Sequence, residues 1–272
     1  MDSFRITHLK SRVSLIVCLY SAITREEVYI QDITVWLEGV AAKPAVKSDG
    51  CFIFDNVPEG FYTLHIASTY YFAEKREIQV NSTSSSTSMI QIGLLPLPSY
   101  PFSMGLSILR ISVRTQRNQP VADAFIELTV IQEDGARGRI TQEIQESGST
   151  VLTLGAVTGT VWPTDRYLLR SRSANKIEEQ IQIEKVSELG RRAELGHPLQ
   201  HAYPRGSYLL PVVKTITDAN GEAVAAFSNL GVKQFRTQLF VENSTKLDQQ
   251  DERILKEVVL EEGKTVSLTI IL

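Results

Sequence analysis

Two glycine-centred turns, each running into a strand of alternating apolar residues, constrain this chain more than anything else in it. In "VKSDGCFIFDNVPEGFYTLHI", residues 46–66, Asp49-Gly50 is a dipeptide that supplies the positive φ of a tight turn. Phe52 and Phe54 then alternate with Cys51, Ile53 and Asp55, the period of a strand with one buried face. Asn56-Val57-Pro58-Glu59-Gly60 reads as a second turn, with Pro58 presetting φ and Gly60 free to take φ > 0. Tyr62, Leu64 and Ile66 alternate after it. The segment predicts turn, strand, turn, strand, and it holds no nucleophile, metal cluster or phosphate cradle.

The unit returns in "TDANGEAVAAFSNL", residues 217–230, where Asn220-Gly221 stands for Asp49-Gly50, Phe227 for Phe54 and Asn229-Leu230 for Asn56-Val57. The spacing from Gly to Phe is two residues longer in this copy. The flanks correspond too: "RTQLFVEN" follows where "FYTLHIAS" did, and "LSILRISVRTQRNQPVADAFIELTVIQ" precedes as "VSLIVCLYSAITREEVYIQDITVWLEG" did. An internal repeat of this length, made of short strands between Gly, Pro and Asp/Asn turns, predicts an all-β chain of two tandem antiparallel β-sandwich modules. Pro96, Pro98 and Pro101 have no N–H to give a sheet and mark a stiff connector over 96–105. The modules are then 1–95 and 106–272, the second interrupted by a mostly β insert at about 136–210. Residues 106–187 as a complete middle module is the other division. In "ANKIEEQIQIEKVSELGRRAELG" the expectation is strand to Val186 and a short helical turn after it, against a helix with Ile181, Lys185 and Leu189 on one face.

The two Gly hairpins and their flanks resemble the transthyretin-like, or carboxypeptidase regulatory-like, family of seven-stranded sandwich modules. The resemblance implies the fold, and it implies that the modules serve as non-catalytic spacers or docking surfaces beside other machinery.

Composition removes several classes. With 43% hydrophobic and 22% charged residues and a net charge of −3, the chain fills ordinary cores and offers no field for nucleic acid. No apolar stretch reaches the ~18 residues that span a bilayer. Val13 to Ala22 behind Lys10 and Arg12 superficially resembles a leader, but Val13, Leu15, Val17 and Leu19 alternate as a strand does, and "GLSILRISVRT" repeats the run inside the chain. That predicts a protein cytoplasmic when made, leaving the cell, if it does, within a larger particle. Cys18 and Cys51 both fall in predicted strands, either as two buried thiols or as a bridge if those strands meet.

Chemistry is scarce. Glu194, His197 and His201 lie close in "ELGHPLQH", but Pro198 spoils the helical face that paired histidine ligands need, so no metal and no cofactor is assigned. "YPRGS", residues 203–207, resembles the tetrapeptide that ends the transthyretin-related 5-hydroxyisourate hydrolases. Here Pro204 interrupts it and the chain runs on, so no catalytic residue is assigned. The acceptor triplets at Asn81 and Asn243 are common by chance and are left unused.

What remains is recognition. The expected role is a non-catalytic structural or adaptor protein bridging protein subunits of a larger assembly, a phage-tail-like or contractile injection particle being the most concrete example. The insert reads as dispensable for the sandwich core and as the partner surface, with Trp162, Tyr167, Arg170, Arg172 and Tyr203 as anchors. The alternative is a carbohydrate-binding module using loop aromatics, among them Tyr70, Tyr71, Phe72, Tyr100, Phe102 and Trp162.

Overall fold

The computed structural model describes residues 12–272 apart from 29, 48, 82–87, 174–175, 188–189, 229 and 244–252. Asn229, His8, the Ser/Thr-rich residues 82–87 and the later residues of both acceptor triplets therefore lie outside the described residues. The chain divides into two compact units, Met1–Tyr100 and Pro101–Leu272. No described helix is long and apolar enough to cross a membrane.

The first unit is built from β1 (Val13–Ser21), β2 (Ile33–Leu37), β3 (Ala45–Val46), β4 (Cys51–Asp55), β5 (Gly60–Ser68), β6 (Glu74–Val80) and β7 (Ser88–Leu94). They form two sheets, β3-β4-β1-β7 and β2-β5-β6. All pairs are antiparallel except β1 with β7. The leader-like run is β1, a central strand. Leu15, Val17 and Leu19 point into the core against Phe52, Phe54, Leu64 and Ile66, while Ile16, Cys18 and Tyr20 stay half-exposed. Burial of each phenylalanine contributes roughly 2–3 kcal/mol. β6 lies at a sheet edge and carries Glu74, Lys75, Arg76 and Glu77, charges that discourage edge-to-edge pairing.

β1 and β4 place Cys18 directly opposite Cys51, and the two form a disulfide with their Cα atoms 4.0 Å apart. The bridge closes a loop with a sequence separation of 33, a constraint worth about 4 kcal/mol in the unfolded chain. Reduction should therefore lower the melting temperature of the first unit and leave the second unmoved, measured by calorimetry with and without a phosphine reductant.

The connector is less of a spacer than its prolines predict. Phe72 N–H donates to Leu95 O, Leu97 N–H to Tyr70 O and Tyr100 N–H to Leu97 O, so residues up to Tyr100 fold back onto the first unit. Gly60 also departs from expectation. It takes no positive φ but opens β5 opposite Val80.

The second unit comprises β8 (Ser107–Arg114), β9 (Phe125–Val130), β10 (Gly138–Ile140), β11 (Ile144–Gln145), β12 (Val151–Gly155), β13 (Arg166–Arg170) and β14 (Glu178–Ser187). It continues through β15 (Arg192–Leu195), β16 (Tyr203–Pro204), β17 (Tyr208–Ile216), β18 (Glu222–Phe227), β19 (Gln234–Glu242), β20 (Arg253–Glu261) and β21 (Thr265–Ile271). Its pairings repeat those of the first unit. β8 lies antiparallel to β18 and parallel to β21, as β1 does to β4 and β7. β9, β19 and β20 pair as β2, β5 and β6 do. The strand before the glycine turn differs: β3 pairs with β4, whereas β17 crosses to the other sheet and pairs with β9.

Register corrects one equivalence. Counting from the two glycines, Phe52 and Phe54 face Val17 and Leu15, and Ala223 and Ala225 face Ile111 and Leu109. Ala225 thus takes the place of Phe54. Phe227 sits one row further on, opposite Ser107, with its ring 5.6 Å from that of Phe235. By the same count Cys18 and Cys51 become Ser112 and Glu222. In place of the disulfide, Ser112 Oγ donates to Glu222 Oε1 at 2.9 Å and Arg114 pairs with the same oxygen.

The insert closes on itself. β10, β12, β15, β14, β13 and β17 are neighbours in that order, and β10 also pairs with β17, which makes a six-stranded barrel. Its interior is filled by Ile140, Leu152, Leu154, Tyr167, Leu169, Ile181, Ile183, Ala193, Leu195 and Leu209. β14 and β15 form a hairpin; the helical turn expected after Val186 falls on residues 188–190, where Gly190 is in a 3-10 turn and 188–189 lie outside the described set. β17 serves two layers: Leu209 faces the barrel, while Tyr208 and Leu210 face the sandwich core. On β13, Tyr167 and Leu169 fill the barrel and Leu168 packs on the sandwich. One barrel wall is thus also a layer of the second sandwich, which explains why residues 208–212 are buried without alternation.

Candidate functional site

The five expected anchor residues do not form one surface. Tyr167 and Tyr203 are 2% and 0% exposed and belong to the barrel core, so neither ring can reach a partner. Arg170 is also interior. It pairs with Glu178 and donates to the Ile131 carbonyl at 2.7 Å, fastening β13 to the segment that follows β9. Arg172 and Trp162 are exposed but stand beyond opposite ends of β13. Trp162 is 44% exposed on a loop held by Asp165, whose Oδ2 accepts from the Trp162 N–H and from the Tyr167 hydroxyl, each at 2.9 Å.

The "YPRGS" stretch becomes the bend from β16 into β17. Ser207 Oγ donates to Pro204 O at 2.7 Å, and Tyr203 pairs in register with Gln145. The Tyr203 hydroxyl has no hydrogen-bond partner among the described residues, and burial followed by the nearby Glu179 and Glu178 carboxylates pushes its pKa well above the phenol range. Tyr71 is raised similarly, by burial first and then by Tyr100 and Glu26. Such groups stabilise the fold in full below an unfolded value of about 10. Above it the unfolded phenol loses its proton while the folded one keeps it, so stability falls as pH rises toward the folded values. The expected result is that Tyr71 and Tyr203 ionise only with unfolding in an alkaline absorbance titration. Replacing both with Phe should remove that late step.

The turn residues act locally. The Cys51 N–H donates to Asp49 Oδ1 at 3.3 Å, and Asn56, at φ 54°, exchanges hydrogen bonds with the Arg12 backbone. Asn220 N–H donates to Asp218 Oδ1 at 2.8 Å. Of each turn pair only the glycine takes positive φ, 77° at Gly50 and 72° at Gly221. Among the described residues no group of three or more His, Cys, Asp or Glu side chains is placed to hold a metal ion. The loop aromatics mostly cover core. Tyr71 is buried against Tyr100 with ring centroids 5.2 Å apart, and Tyr70 meets Tyr100 edge-on.

The structure instead presents aromatics on the outer face of the β2-β5-β6 sheet. Trp36 is 41% exposed and lies flat on His65, centroids 4.9 Å apart and planes 6° from parallel. His65 Nε2 meets Glu38 Oε2 at 3.2 Å. That hydrogen bond first, and Lys75 next, hold the Glu38 carboxyl below its usual range. Register sets Trp36, His65 and Lys75 in one row across the sheet, with Thr63 opposite Glu77 in the next. Phe61, 81% exposed, continues the same face of β5. The signal was in the sequence: Ile33, Val35 and Leu37 fix the buried phase of β2, so Trp36 falls in the polar phase.

A family model for the ER membrane protein complex subunit 7, beta-sandwich domain, matches residues 24–93, a span inside the first unit. No curated protein matches the chain. Among solved structures, a streptococcal ancillary pilin is similar at 12% identity and a TM-score of 0.24, over 96% of this chain and 68% of that one. GBS52, the minor pilin of Streptococcus agalactiae, is similar at 10% identity and a TM-score of 0.24, over 96% of this chain and 95% of that one. The Bacillus anthracis TIE protein is similar at 9% identity and a TM-score of 0.25, over 95% of this chain and 50% of that one. Likeness at this level says nothing of what the chain does.

Proposed function

We propose that the protein is a non-catalytic structural adaptor that bridges protein subunits of a larger assembly. The observation that carries this reading is the barrel grown on one wall of the second sandwich. The first unit closes its sandwich with a two-residue β3 at the equivalent point. The second unit adds a six-stranded body there, with its own core and its own exposed Trp162 loop. A rigid added surface bearing an exposed tryptophan suits a docking contact, because Trp and Arg carry a large share of interface energy. The family match, to a domain named as part of a membrane protein complex, agrees with the same reading. Neither the fold nor the comparisons point to a phage tail or a contractile injection particle in particular, so the proposal is the assembly role alone. A disulfide across β1 and β4 suits oxidising surroundings, and we place the working protein there wherever it is made.

The test is sedimentation of the tagged full chain from its native cells after mild crosslinking. The parent should run in a complex of defined mass and stoichiometry. Trp162→Ala combined with Arg172→Ala should leave that complex with the fold unchanged. A parent that sediments as a monomer, or a double variant that stays in the complex, overturns the proposal.

A further inference from the structure

We infer that the Trp36 face of the first unit is a carbohydrate-binding platform, taking the flat side of a pyranose ring within a polysaccharide chain. This goes beyond the adaptor reading and uses a different unit. One face of a pyranose presents C–H groups that pack on an aromatic plane, and its hydroxyls point outward in the ring plane toward polar neighbours. Trp36 supplies the plane. His65 beneath it, 6° from parallel, fixes the indole before any ligand arrives, so little side-chain freedom is lost on binding. The polar neighbours stand at the right places. Glu38, kept ionised by His65 and Lys75, accepts hydrogen bonds from hydroxyls, and Thr63, Lys75 and Glu77 provide further partners in the same and the adjoining row. Phe61 lies four residues from His65 along β5, about 14 Å at strand rise. It offers a second stacking plane to a chain of several sugar rings laid across Glu38 and Thr63.

A protein partner suits this face less well. A protein interface gathers its aromatic anchors into a contiguous dry core, whereas Trp36 and Phe61 stand in separate rows of the sheet with Glu38 and Thr63 between them. Their neighbours Thr34, Lys75, Glu77 and Gln79 are exposed and polar, and no apolar surface joins Trp36 to Phe61. Isolated rings among hydroxyls and carboxylates match the alternation of a sugar surface.

The probes are three soluble polysaccharides, hydroxyethyl cellulose, xylan and glycol chitin, each cast into native gels in which the full chain is run. Retardation is expected in at least one gel, weakened by roughly tenfold or more in apparent affinity by Trp36→Ala and by less in Glu38→Gln. Trp36 lies outside the core cluster, so Trp36→Ala should melt close to the parent, which separates lost binding from lost fold. The chain has two tryptophans, so Trp162→Phe leaves Trp36 as the sole indole. Its emission should shift on adding the retarding polysaccharide. Unretarded migration in all three gels overturns the inference, as does retardation that Trp36→Ala leaves unchanged. Loss of a protein complex by Trp36→Ala without any retardation of the parent would also overturn it and reassign the face to a protein partner.

Discussion

Gly221→Val should lower the stability of the second unit by about 4 kcal/mol, and Gly50→Val should do nearly the same to the first, each leaving the other unit's melting transition in place. A Cβ at Gly221 would meet the Val113 carbonyl oxygen at 2.6 Å and the Val121 nitrogen at 2.9 Å. At Gly50 it would meet the Leu19 carbonyl oxygen at 2.9 Å. The two carbonyl oxygens are backbone atoms of central strands, and they cannot move aside. Leu19 N–H donates to Gly50 O and Val113 N–H to Gly221 O, so each glycine is hydrogen-bonded, at the same position of its first strand, to the residue whose carbonyl a side chain would strike. Positive φ adds its own cost for a β-branched residue. Calorimetry on the full chain reads both variants. Two unchanged thermograms would mean that the glycines are ordinary turn residues and that the equivalence of the two units is accidental.

That equivalence was legible because its determinants are local. Turn glycines and a period of two need only neighbours in sequence, and they placed β4, β5, β18 and β19 without any knowledge of partners. Register is not local. The match of Phe227 to Phe54 followed from aligning aromatic residues, while the hydrogen bonds align glycines and set Ala225 in that place. The extra two residues between Gly221 and Phe227 were the visible sign that the aromatic bulk had moved one row along its strand. The Cys18–Cys51 bridge waited on the same kind of information, since only the pairing of β1 with β4 brings the thiols together. Barrel closure was harder still, because β10 meets β17 across the whole insert. The candidate anchors Tyr167 and Tyr203 went inside for that reason: a ring of strands has an interior that an open insert lacks. Arg170 was taken up instead by Glu178 and the Ile131 carbonyl. One clue was present in "YLLPVV", a run with no polar phase, as expected of a strand covered on both faces.

The shared wall makes the barrel a structural necessity for the second unit, contrary to the expectation that residues 137–210 are dispensable. Replacing them with a short Gly/Ser loop removes Leu168, Tyr208 and Leu210 from the sandwich core. It also takes from β17 the residues that precede Pro211. Loss of each large core side chain costs about 2–5 kcal/mol when the cavity cannot collapse. A domain with an ordinary total of about 5–15 kcal/mol does not survive losing several. The truncated chain should therefore show one melting transition, that of the first unit, where the parent shows two. A subtler change tests the same coupling without removing a wall. Leu152 is fully buried on the far side of the barrel from the sandwich. Leu152→Ala should shift the whole second transition downward by about 3 kcal/mol rather than split it, because β13 and β17 tie the two cores into one cooperative body. A split thermogram, or a truncated chain that keeps both transitions, would show that the wall is a contact between independent folds. The barrel would then be removable after all, and its docking role could be tested by deletion as well as by the Trp162 and Arg172 variants.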